Sequence, residues 1–169
     1  MRTTILSFSL LFCSLITFSQ NDSNCACCTE EHGAFDFWVG QWTVIKPDGS
    51  PAGKNIIEKI QDDCVLMENW TSASPGYTGT SYNFYNGQTK KWEQLWIDNQ
   101  GQSLHMTGGR TGDKMIMKTD WLVAANGNRY YHQISWTLNT DGTVRQLWET
   151  FPEGQPTQIA FDGLYKKEE

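Results

Sequence analysis

Charge is scarce in this chain, and what there is leans acidic: 19% of its 169 residues are charged, with 13 Lys and Arg against 19 Asp and Glu. With a net charge of -6 and no run of basic residues, it lacks the surface that phosphate backbones and anionic lipid demand, so neither nucleic acid nor a membrane surface is expected as a partner. No apolar run reaches the roughly twenty residues of a membrane helix. The longest, Ile5 to Phe18, is shorter and terminal. Long helical periodicity is absent too. So are a Gly-x-Ser-x-Gly elbow, a Walker loop, a dinucleotide fingerprint and a His-Glu-x-x-His helix, which removes the commonest hydrolase, nucleotide and zinc-protease readings. Gly108-Gly109 sits in a strand-turn context and opens no helix, so it is not a phosphate cradle.

What is present begins with an export signal. Arg2, the apolar stretch Ile5 to Phe18 and the small polar pair Ser19-Gln20 read as a secretory signal peptide over residues 1–20. Lipoprotein attachment fits less well, because bulky Phe12 precedes Cys13 and Asp22-Ser23-Asn24 precede Cys25. The mature chain is expected to be secreted or periplasmic, with no membrane insertion once the signal is removed. A polar cysteine-bearing segment (21–34) and one domain (35–169) follow, a length and a hydrophobic content of 38% that suit a single core. Cys25, Cys27, Cys28 and Cys64 remain, an even number that reads as disulfides in an exported protein. A bond between adjacent Cys27 and Cys28 is sterically poor, so Cys64 is expected to pair with Cys27 or Cys28. The same cysteines with His32 would suit a soft metal, the competing reading of this segment.

Thr29-Glu30-Glu31-His32 can open a short helix, with Phe35, Phe37 and Trp38 on its apolar side and Gly40 ending it. Beyond it, β-rich pieces recur between turn signals. Strands are expected over 41–46, 53–61, 64–71, 78–85, 91–98, 103–108, 114–121, 129–138, 144–151 and 157–165. Pro47-Asp48-Gly49, Asn86-Gly87, Gly112-Asp113 and Asp141-Gly142 favour tight reversals between them. The fold class is therefore all-β: about ten antiparallel strands in an up-and-down barrel, because closure removes exposed edges. A two-sheet sandwich shares the same alternation and is the runner-up.

The stretch Phe35-Asp36-Phe37-Trp38-Val39-Gly40-Gln41-Trp42-Thr43-Val44 resembles the start of the lipocalin-like domain of secreted bacterial proteins. Asn69-Trp70-Thr71, Trp92-Glu93-Gln94-Leu95-Trp96-Ile97-Asp98, Arg145-Gln146-Leu147-Trp148-Glu149 and Phe161-Asp162-Gly163-Leu164-Tyr165 extend the resemblance over most of the mature chain. It implies a calycin-type barrel and brings no activity with it. Gly40-Gln41-Trp42 also resembles the Gly-x-Trp opening of true lipocalins, which makes Gly40 and Trp42 structural and gives the Trp an end of the barrel to plug. The glycine-rich pattern of haem-holding nitrobindin-type barrels is missing after Trp42, so no cofactor is expected.

Eight tryptophans mark the candidate site. Trp92, Gln94 and Trp96 share one face by alternation, Gln146 and Trp148 repeat the order on a later strand, and Tyr130, His132 and Trp136 share another face. Aromatics alone would make a dry core. The interleaved Gln, His and Tyr point to a cavity with apolar walls and a few polar groups, and these eight side chains are the expected ligand-binding set. Glu93, Leu95, Arg145, Leu147 and Glu149 fall on the opposite face, where an exterior ladder of charges is expected. The expected function is binding of a small amphipathic or apolar molecule. The alternatives are acid/base catalysis by Glu68 with Tyr130 or His132, and metal handling by the N-terminal cysteines. The three histidines lack the short spacing of a zinc site, and no oligomeric state follows from these residues.

Overall fold

Buried and exposed side chains alternate along most strands, as they must in a sheet with one face in a core and the other in water. The computed structural model describes residues 25–168; the expected signal peptide, Cys13 and residues 21–24 lie outside the described residues. The strands are β1 (Gly40–Ile45), β2 (Pro51–Ile60), β3 (Val65–Ser72), β4 (Thr78–Asn86), β5 (Lys91–Asp98), β6 (Ser103–Thr111), β7 (Lys114–Lys118), β8 (Leu122–Val123), β9 (Arg129–Leu138), β10 (Val144–Pro152) and β11 (Gln158–Lys167). Neighbours pair antiparallel from β1 to β7, then β7 pairs with β9, β9 with β10 and β10 with β11. Finally β11 returns to β1, with Trp42 opposite Lys167 and Val44 opposite Tyr165. Ten strands thus close a barrel, and the two-residue β8 lies beside the start of β9 outside the ring. That closure decides between barrel and sandwich.

One end of the barrel is plugged by the chain's own N-terminal segment. Phe35 and Trp38 are fully buried there, stacked at 4.9 Å, and Trp136 packs against both. Trp92 meets Phe35 edge-on, and its Nε1 donates to the Glu31 carbonyl at 3.0 Å. Trp42 is buried beside Tyr165, donates through Nε1 to the Trp38 carbonyl at 2.9 Å and carries the Lys167 ammonium over its ring. Gly40, which starts β1, has φ +143°, a conformation that side chains rarely adopt.

Two disulfides hold this segment: Cys25–Cys28 within it, and Cys27–Cys64 tying it to the turn between β2 and β3. The pairing resolves the choice for Cys64 in favour of Cys27. With all four sulfurs paired, no thiolate remains there for a metal. The expected N-terminal helix shrinks to one 3₁₀ turn, Asp36–Trp38, preceded by a series of turns. A segment this short forms no stable helix by itself, and here its aromatic side chains are drawn into the barrel end instead.

The strand expected over 114–121 ends early. β7 stops at Lys118, where Thr119 turns inward and exchanges bonds with His132: its N–H donates to the His132 carbonyl and its Oγ1 accepts from the His132 N–H, both at 3.0 Å. Trp121 then lies outside, packed on Tyr131 and beneath the Arg129 guanidinium.

Candidate functional site

The end opposite the plug is open, and the cavity lies beneath it. Rows of register place its walls. Glu68, Ser81 and Trp96 lie side by side on β3, β4 and β5, and the row nearer the mouth runs Trp70, Gly79 and Asp98. Glycine matters at Gly79. A Cβ there would overlap the six-membered ring of Trp96, so the indole lies flat against bare backbone. Gly53 stands in the same relation to Trp70, and Gly163 to Phe161. Three large aromatics are thereby pressed into the wall, and the space in front of them stays open.

That space has a volume of about 290 Å³, bounded by Trp70, Trp96, Trp148, Phe161, Leu104 and Ile134, with Glu68, Gln94, Gln146 and Tyr165 at its base. An outer compartment of about 330 Å³ shares Tyr77, Trp96, Leu104 and Trp148 with it and adds Asp98, His132 and the turn around Gln100. Their size suits a small organic molecule.

Beneath the cavity runs a belt of buried polar groups. Tyr165 Oη donates to Gln146 Oε1. Asn55 Nδ2 donates to Tyr165 Oη at 3.2 Å and to Glu68 Oε1 at 2.7 Å. Ser81 Oγ donates to Glu68 Oε2 at 2.5 Å, Asn83 Nδ2 donates to Ser81 Oγ at 2.9 Å, and Gln94 Nε2 donates to Asn83 Oδ1 at 2.7 Å. The belt joins β10, β11, β2, β3, β4 and β5. A chain of this kind lets polar groups lie inside a barrel, since each unmade bond would cost about 1 to 3 kcal/mol.

Glu68 is the acidic member, and it is only 4% exposed. Burial raises its carboxyl to about 7, against the opposing pull of the Ser81 and Asn55 hydrogen bonds. Tyr165 is pushed well above its ordinary value, first by burial and then by the nearby Glu68 charge. In the outer compartment Asp98 is held below the usual carboxylate range, chiefly by the Gln102 backbone N–H, and also accepts from Tyr77 Oη at 3.2 Å. His132 is lowered by burial. Its Nδ1 takes the Trp148 Nε1 hydrogen bond at 3.0 Å, and since an indole N–H only donates, His132 is neutral with its proton on Nε2.

Of the eight expected side chains, Gln94, Trp96, Gln146 and Trp148 lie on the inner wall and His132 on the outer compartment. Trp92 and Trp136 do not. Both face inward as alternation requires, but at the plugged end they are core. Tyr130 packs edge-on against His132 and is absent from the wall. The opposite face is outward as expected: Arg145 pairs with Asp162 through two bonds of 2.9 and 2.6 Å, and Glu93 with His105 at 3.2 Å. Wall residues that the sequence reading missed are Trp70, Phe161, Tyr77 and Tyr165. Trp70 alternates with Glu68 and Leu66, and Phe161, Gly163 and Tyr165 alternate on β11, so the signal was there without a depth assigned to it.

No known family model matches the chain, and no curated protein matches it. Among the described residues, no helix is long and apolar enough to cross a membrane, and no group of three His, Cys, Asp or Glu side chains stands close enough to hold a metal ion.

Proposed function

We propose that this is a secreted, lipocalin-like binding protein that holds a small amphipathic molecule in the open end of its barrel. The observation that carries the reading is the cavity of about 290 Å³, with aromatic walls above a hydrogen-bonded polar base. A core selected only for stability would be filled at this level, since a void of such size forfeits several kcal/mol of packing. The two disulfides support an oxidising destination. The signal-like N-terminus supports export, and the resemblance to the lipocalin-like domain supports the barrel.

Native mass spectrometry of the protein purified from its own host tests this. We expect a stoichiometric small-molecule adduct that a competing organic solvent strips away. Empty protein under conditions that preserve non-covalent complexes would overturn the reading.

Acid/base catalysis is favoured by one observation, the Glu68 carboxyl at about 7, in the working range of a general acid or base. The partners expected for it are not beside it: Tyr130 is off the wall, and His132 lines the outer compartment. Both Glu68 oxygens are held by Asn55 and Ser81. Binding therefore takes precedence.

A further inference from the structure

A carboxylate at the base of an aromatic cavity with no cation beside it is an incomplete ion pair. The groups that face Glu68 from the surrounding strands are Ile57 and Asn55 on β2, Ser81 on β4 and, through Asn55, Tyr165 on β11. None is cationic. Across the cavity and its outer compartment, the remaining titratable side chains are Lys46, Tyr77, Asp98 and His132. Lys46 is exposed at the rim, His132 is neutral, and Asp98 adds a second negative charge near the mouth. The interior thus presents two carboxylates and no buried positive charge among the described residues, in a chain of net charge -6.

We infer that the molecule held in this barrel is a small organic cation, a primary amine on an apolar or aromatic body, with its ammonium on Glu68 and its body among Trp70, Trp96, Trp148 and Phe161. Four features match. An ammonium supplies the charge that the buried carboxylate lacks. Its three N–H donors suit the open lone pairs of the Glu68 carboxylate and Gln94 Oε1, whose own Nε2 is already used on Asn83. Trp70 follows Glu68 on the same face of β3, and Trp96 lies in the Glu68 row with only Ser81 between, so two indoles line the cavity on the strands around Glu68. Indole is the best aromatic partner for a cation. Last, Asp98 near the mouth gives the approach the same sign of field as the base.

This inference rests on the binding reading, and its test separates the two. Phenethylamine, phenethyl alcohol and phenylacetate share one body and differ in the charge of the head. Each is titrated by calorimetry into the purified protein and into Glu68→Gln, whose fold is checked by near-UV circular dichroism. At pH 8 the amine should bind about tenfold or more tightly than the alcohol, with phenylacetate weakest. In wild-type protein, where no variant is needed, amine affinity should fall about tenfold per pH unit below about 7 as Glu68 takes up a proton, while alcohol affinity stays level. Glu68→Gln should equalise amine and alcohol and remove the pH dependence. Equal amine and alcohol binding, tighter phenylacetate binding or an amine preference that survives Glu68→Gln would overturn the cation assignment and leave a neutral-ligand barrel. Failure of all three probes would also overturn it, and the binding reading falls with it only if the native mass spectrum is empty as well.

Discussion

Replacing Glu68 with Gln should make the protein more stable at alkaline pH and leave it nearly unchanged at acid pH. The unfolded chain releases this proton near 4.5 and the folded protein near 7, so the native state binds it more tightly. A carboxyl raised in this way contributes stability that is fully present below pH 4.5 and lost as pH climbs through 7. The loss is worth about 3 kcal/mol at full titration, because the group is almost entirely buried and little solvent screening discounts it. Gln keeps the shape and, like the protonated acid, presents one oxygen to Asn55 and one donor to Ser81. Urea unfolding of both proteins at pH 4.5, 6, 7 and 8 reads the difference, which should grow with pH to about 3 kcal/mol, on the order of 10 °C in Tm. Carboxylates that are lowered on folding, such as Glu93, Asp98 and Glu168, oppose this slope at acid pH, but both proteins share them and they cancel. Parallel profiles across this range would show that Glu68 does not titrate there and would refute the argument from burial.

Trp42→Ala should destabilise the fold by about 3 to 5 kcal/mol, since it empties a buried site and strips the Trp38 carbonyl of its donor; chemical denaturation measures this, and an unchanged midpoint would remove Trp42 from the plug. Cys64→Ser opens a loop between positions 37 apart in sequence, which by chain entropy is worth about 3 to 4 kcal/mol, and non-reducing peptide mapping of the wild type should recover Cys27 joined to Cys64. Gly79→Val should drive the Trp96 indole off the wall at a cost of about 1 to 3 kcal/mol, narrow the cavity and change the tryptophan fluorescence; a ligand titration and emission spectrum identical to wild type would show that the indole does not need bare backbone.

Much of the fold was legible because alternation has only two outcomes. On β5 the choice lay between burying Trp92, Gln94 and Trp96 or burying Glu93 and Leu95, and desolvation of the charge decided it. The same argument oriented β10. Cys64 could be assigned to the adjacent pair because few partners were left. Depth along the barrel was not legible in this way. Trp92 and Trp96 share one strand and one face, yet one is core at the plugged end and the other is cavity wall, because only the closed ring and the folded-back N-terminal segment define which end is stoppered.

The sequence by itself determined the all-β class, the turns, the face each side chain presents and the need for closure, since these follow from local periodicity, turn chemistry and the cost of open edges. Only the tertiary structure decided what those faces meet. Asn55, Glu68, Ser81 and Tyr165 are far apart in the chain and become one hydrogen-bonded belt through the registers of β2 with β3, β3 with β4 and β11 with β1. Whether a buried acid is neutralised, paired or left waiting for a cation depends on what stands across the barrel from it, and that is a property of the closed ring, beyond the reach of any one strand.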